Sequence, residues 1–302
     1  MTINWYPGHM HKARKEIKKA LPEIDLVIEL VDARLPFSSA NPVLGQLIAH
    51  KPRLKLLSKS DLADPQLTQA WVEHFEQDSQ MRALPIVTTD KKTLQPIARL
   101  CAQLTSHIRE SRSVKALVMG IPNVGKSTLI NSLAGKKIAK TGNEPAVTRR
   151  QQKIQVGDRL QIIDTPGVLW PRIEWPDSAY RLAASGAIRD TAMDYEDVGF
   201  WSAQDLLQRY PERLIARYKL KEQPDSAASL LKLIAEKRGG LRAGGEIDYH
   251  RACEVLLHDL RGGQLGLITL EAPTEIPTEE MLLALRETTD LGQDAPEFKE
   301  ES

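Results

Sequence analysis

Short apolar runs recur through the first half of the chain, at residues 26–31, 54–57, 84–87 and 114–119. Amphipathic stretches at roughly 41–49, 65–79 and 92–110 separate them. Short strands alternating with helical segments predict βαβ units and a mostly parallel sheet flanked by helices. Residues 126–133 then have a helical pattern, and apolar runs at 154–156 and 160–163 bracket the turn Gly157-Asp158. The strand signal ends at Trp170. Pro171, Trp175 and Pro176 read as a linker, and residues 177–260 as helices, with 227–237 and 249–260 among them and breaks at Gly239-Gly240 and Gly244-Gly245. Residues 289–302 carry Asp290, Asp294, Glu297, Glu300 and Glu301 with few apolar groups, the composition of a disordered acidic tail. The pattern predicts an α/β domain over 1–175, a smaller all-α domain over 176–288 and the tail over 289–302.

Composition changes this picture little. At 302 residues, with 41% hydrophobic and 27% charged, the chain has the make-up of an ordinary globular protein. A formal net charge of +1 gives no global field favouring nucleic acid, so any such binding must come from a local patch. Residues 1–19 hold no signal-peptide pattern, and no run of about 18 apolar residues suggests a membrane span. Cys101 and Cys253 sit in helical patterns and read as free thiols of a reducing compartment. The expectation is a cytoplasmic monomer with no membrane partner.

The chemistry begins at Gly120-Ile121-Pro122-Asn123-Val124-Gly125-Lys126-Ser127, which follows the fourth apolar run and fits the phosphate-loop pattern in full. Backbone N–H groups of such a loop wrap a β-phosphate, aided by the N-terminus of the next helix. Asn123, Val124, Gly125, Lys126, Ser127 and Thr128 are therefore candidate nucleotide contacts. Lys126 would bridge β- and γ-phosphate oxygens, and the Ser127 hydroxyl would hold Mg²⁺. Asp164-Thr165-Pro166-Gly167 ends a later apolar run. There Asp164 would reach Mg²⁺ through water, and the Gly167 N–H would touch the γ-phosphate and sense its loss. Thr148, between the two motifs, could complete the Mg²⁺ shell; taken alone it is equally an ordinary loop threonine.

Ser58-Lys59-Ser60-Asp61 follows the second apolar run. A carboxylate here can accept from guanine N1–H and the exocyclic amine together, a donor pair adenine lacks, and leaving it unpaired before adenine is costly. The Lys59 stem can lie over the base. Thr88-Thr89, after the next strand, is where a second base-contacting loop would fall. A Lys-x-Asp by itself is an ordinary exposed turn, and its weight here comes from order. The guanine reader precedes the phosphate loop, whereas GTPases usually carry it afterwards. The parts of one G domain are present in circularly permuted order.

At the N-terminus Lys12, Arg14, Lys15, Lys18 and Lys19 crowd a segment interleaved with Trp5, Tyr6, His9 and His11. That mixture suits RNA phosphate contacts with base stacking, and also a merely solvated helix face.

In this order the motifs resemble the circularly permuted GTPases of the ribosome biogenesis GTPase A (RbgA/YlqF) family. Trp5-Tyr6-Pro7-Gly8-His9-Met10 is similar to that family's opening signature, and Asp32-Ala33-Arg34 with Pro36, then Asn41-Pro42, to its next block. Gly244-Gly245-Glu246-Ile247-Asp248, Asp259-Leu260-Arg261, Gly266 and Leu270-Glu271 resemble its C-terminal helical domain. The resemblance spans nearly the whole chain. It implies a GTPase acting on a late precursor of the large ribosomal subunit, with rRNA and ribosomal proteins as partners. The GTP form would bind, the subunit would stimulate hydrolysis to GDP, and the helical domain would bind rRNA. His9 holds the signature position proposed to reach the active site, where it would orient the attacking water. The place after Gly167, often Gln in other GTPases, is Val168 and cannot do so. Asn123 resembles the residue that holds K⁺ in potassium-activated relatives.

One departure stands out. The family usually has Asn where this chain has Ser58, and a serine offers one donor. That predicts weaker guanine-nucleotide binding with selectivity over adenine kept. Because the chain leaves the sheet soon after Gly167, GTP is also expected to set the orientation of the two domains. An RNA-binding scaffold with structural nucleotide is the alternative function. A P-loop ATPase or small-molecule kinase is disfavoured by Asp61.

Overall fold

Six strands form one sheet in the order β3-β2-β1-β4-β6-β5. They are β1 Leu26–Asp32, β2 Arg53–Ser58, β3 Met81–Pro85, β4 Val114–Gly120, β5 Gln152–Val156 and β6 Leu160–Asp164. The computed structural model describes residues 15–135 and 152–282, apart from 16, 49, 166, 168, 171, 172, 174, 243 and 279. All neighbours pair in parallel except β5, which turns back against β6. Strand β1, paired on both sides, is buried along its whole length, which is why it reads as a continuous apolar run. Its one interior charge, Glu29, faces Lys55 of β2 in register, with Nζ 3.0 Å from Oε2.

Parallel strands share an edge for their C-terminal ends. Ser58 ends β2, Asp32 ends β1, Gly120 ends β4 and Asp164 ends β6, so the permuted motifs meet along one rim.

Three boundaries differ from the sequence expectation. The third strand is Met81–Pro85 and not 84–87, because Met81 and Ala83 alternate inward while Arg82 does not. The helix expected over 65–79 is Pro65–Phe75, opened by Asp64, whose Oδ1 accepts from Gln66 N and Leu67 N. The stretch 92–110 divides into Lys91–Leu94 and Pro96–Leu104. Pro96 has no N–H to continue the first piece, and Thr105 ends the second by returning its hydroxyl to Cys101 O at 2.7 Å.

Beyond β6, Leu169 and Trp170 are buried in the core, so the expected linker begins inside the protein. Helices Pro176–Ala184, Tyr195–Arg209, Pro211–Tyr218, Ala227–Arg238 and Tyr249–Arg261 follow. Gly199 lets two of them cross closely, since a Cβ there would lie 2.3 Å from Cys253 Sγ. Most buried apolar side chains of sheet and helices form one cluster reaching from Ile17 to Leu270, and Val31, Ala33, Leu57, Ala63, Trp71 and Ala83 form a second. Cys101 and Cys253 are buried free thiols. Among the described residues no helix is long and apolar enough to cross a membrane.

Candidate functional site

The phosphate loop leaves β4 tight against its neighbour. A Cβ on Gly120 would meet Leu30 O at 2.7 Å, so only glycine fits. Asn123 and Gly125 are left-handed, with φ of 59° and 96°, and curl the loop into the helix Lys126–Ala134. The first N–H groups of that helix are left without intrahelical partners, the usual arrangement for receiving an anion.

Lys126 Nζ lies 2.7 Å from Asp164 Oδ1, and both side chains are almost wholly buried. The second oxygen, Asp164 Oδ2, is buried and has no hydrogen-bond partner among the described residues. An orphaned buried acceptor costs about 1–3 kcal/mol, so this carboxylate is short of a cation or donor. Ser127 is the second residue of the adjoining helix, half-buried. A hydroxyl and a carboxylate are the hard oxygen donors that suit Mg²⁺. Among the described residues no group of three or more His, Cys, Asp or Glu gathers, so such an ion would draw its other ligands from elsewhere. Gly167 rests on the same loop, and a Cβ there would come within 3.1 Å of Pro122 N.

The base-reading segment meets the phosphate loop from the other side. Ser58 Oγ has two carbonyl acceptors, Val124 O at 2.7 Å and Val31 O at 3.0 Å, for its single proton. Ser58 has no exposed surface, so its reach is to the loop carbonyl and not outward. Lys59 is left-handed at φ 56° and its Nζ lies 2.8 Å from Asp32 Oδ2. Asp32 also receives Arg34 Nε at 2.9 Å and a terminal Arg34 nitrogen at 2.7 Å. Burial alone would push the Asp32 pKa up, but the Arg34 and Lys59 charges overcome it and hold the carboxyl well below the usual range. Asp61 is exposed on the 3-10 turn Ser60–Leu62. Thr88 packs under Gly125, 3.2 Å from where a Cβ would stand, and its carbonyl accepts from Ser132 Oγ at 2.7 Å. Thr89 beside it is exposed.

Other candidates fare differently. Asn123 Nδ2 donates to Gly186 O at 2.9 Å, which ties the phosphate loop to the start of the helical half. Arg261 secures that region, donating to Ala183 O and Ala184 O at 2.9 Å each. Lys15 and Lys18 are exposed beside the buried Ile17. His9, Lys12, Arg14, Thr148 and Val168 lie outside the described residues. Sequence reasoning assigned no role to Asp32, Arg34 or Gly186. The available signal was a charged Asp-x-Arg closing a mostly apolar strand.

The family described as 50S ribosome-binding GTPase matches residues 115–200. Ribosome biogenesis GTPase A of Bacillus cereus is 46% identical over 283 residues, covering 91% of this chain and 95% of its own length. The Thermotoga maritima protein of the same name is 31% identical, with 91% and 96% covered. Mitochondrial ribosome-associated GTPase 1 of Mus musculus is 33% identical, with 89% and 90% covered. The crystal structure of GNP-bound YlqF from T. maritima is similar at a TM-score of 0.62 and 28% identity, over 88% of this chain and 100% of that one.

Proposed function

The chain belongs to the ribosome biogenesis GTPase A family, and from that premise we propose that it hydrolyses GTP to GDP and phosphate in assembling the large ribosomal subunit. The bond from Ser58 Oγ to Val124 O carries this reading, because it joins the guanine reader to the phosphate loop although the chain reaches them in permuted order.

In this reading the base sits against Asp61 and Lys59, with Thr88 and Thr89 closing its far side. The phosphates lie over Asn123, Val124, Gly125, Lys126, Ser127 and Thr128. Lys126 exchanges Asp164 for β- and γ-phosphate oxygens, which frees Asp164 toward the metal. Ser127, Asp164 and Thr148 would hold Mg²⁺, which would supply charge to neutralise the oxygens being transferred. Gly167 reports the γ-phosphate. The Asn123 side-chain oxygen is the candidate K⁺ ligand, since its nitrogen is engaged by Gly186; K⁺ there would supply the charge that an arginine finger supplies elsewhere. His9 orients the attacking water, a task Val168 cannot perform. Lys12, Arg14, Lys15 and Lys18, together with the helical residues 176–288, contact rRNA. The protein works as a cytoplasmic monomer on a precursor particle, binding in the GTP form and leaving after hydrolysis.

The test is steady-state hydrolysis in potassium buffer, with and without purified large subunits, using ATP as control. Stimulation specific to GTP is expected. No stimulation alongside intact RNA binding would replace this reading with the scaffold.

A further inference from the structure

Residues 263–271 leave the last helix and return to the base-reading side of the sheet. Gly263, at φ 71°, passes so close to Leu62 that a Cβ would lie 2.7 Å from its Cδ2. Ile268 N then donates to Leu62 O at 2.9 Å, and Asp64 N donates to Thr269 Oγ1 at 3.0 Å. These two bonds clamp the chain on either side of Ala63, immediately behind the turn that carries Asp61. Thr269 has no exposed surface. Its backbone is held from the opposite side by Tyr210, whose hydroxyl donates to Thr269 O at 3.0 Å and accepts from Thr269 N at 3.1 Å. Tyr210 is the C-cap of helix Tyr195–Arg209, so it belongs to the helical half.

The strap goes on to the loop after β1. Leu270 N donates to Arg34 O at 2.7 Å. The buried Glu271 carboxylate accepts from Phe37 N at 2.6 Å and Ser38 N at 2.9 Å, and pairs with Arg181 at 3.2 Å. Its backbone carbonyl takes the Trp71 indole N–H at 3.0 Å. The same strand of chain therefore supports both Asp61 and the loop whose Asp32 anchors Lys59.

We propose that residues 268–271 position the guanine reader, with Tyr210 and Thr269 as the positioning residues that connect it to the helical half. The inference rests on the assignment of Asp61 to the base. Its carboxylate stands exposed on a three-residue turn, too short an element to fix its own direction. Accepting two guanine donors at once requires that direction to be held. Lys126 and Ser127 are placed by β4 and their own helix, which the strap's bonds do not reach. The strap should therefore act on nucleotide selection and leave the chemical step alone.

The experiment compares hydrolysis of GTP with that of ITP, which lacks the 2-amino group. Wild type should prefer GTP in kcat/KM, and Asp61→Asn should lose that preference; a wild type without it overturns the Asp61 assignment and the strap with it. Given the preference, Thr269→Val should lower it about three- to tenfold, the loss expected of one buried hydrogen bond, and Tyr210→Phe, which removes two, by at least as much. The kcat for GTP should stay unchanged, and Thr269→Ser should restore the preference. Tyr210→Phe keeps the ring in place and decides the matter if Thr269→Val fails to fold. An undiminished preference in Tyr210→Phe overturns the strap while leaving Asp61 in its role.

Discussion

Asp32 shows how much one buried charge can organise. It closes β1, accepts the Arg34 fork and fixes the half-buried Lys59 ammonium, with its own carboxylate buried. Its depressed folded-state pKa sets a sign for pH dependence. Stabilisation from such a group is fully present above the unfolded value, near 3.9, and is lost as pH falls through the folded value. Asp32→Asn leaves two cations facing a neutral amide and should cost about 3–5 kcal/mol at neutral pH. The gap between wild type and variant in urea midpoint should narrow below about pH 4; a gap constant from pH 7 to pH 3 would contradict this. Ser58 was only half legible beforehand. A serine is visibly shorter than an asparagine, but its direct reach to Val124 O depends on how close β2 and β4 lie across β1.

Elements were legible where burial alone decides them. β1 and β4 are buried along almost their whole length and mostly apolar, whereas the edge strand β3 alternates and begins three residues earlier than its apolar run. The strap carries no period. It is specified by single bonds to partners as far away as Phe37, 234 residues off, and pattern reading cannot find these. Asp64 separates two roles that its neighbours combine. Its side chain caps helix Pro65–Phe75, and its backbone N–H holds Thr269. Asp64→Ala removes only the cap and should cost about 1 kcal/mol in denaturant stability. Because the backbone bond survives, the preference for GTP over ITP should hold. Losing it together with the cap would show that the helix, not the strap, aims Asp61.

At the scale of the whole molecule, the passage after β6 and the strap both join the halves. The sequence revealed only the passage after β6, which implied a helical domain free to swing as GTP binds and leaves. The strap is the second attachment, reinforced by Ser38 Oγ against Ser178 Oγ at 2.9 Å. A swing of the whole helical half would expose Leu265, Ile268 and Leu270, at about 1.5–3 kcal/mol each. It would also unpair buried polar groups at about 1–3 kcal/mol apiece. The two contacts assigned to the γ-phosphate, from Lys126 and the Gly167 N–H, supply about 1.5–3 kcal/mol each and fall short of that sum. Motion must then pivot on the strap and appear on the phosphate side, where Asn123 meets Gly186. Scattering profiles of the full chain with GDP and with a non-hydrolysable GTP analogue should accordingly superimpose. A chain ending at Gly262 lacks the strap and should be larger, with a profile that depends on nucleotide. If the full chain changes its radius as much as the shortened one does, the strap is no pivot and the swing implied by the permuted order is the better account.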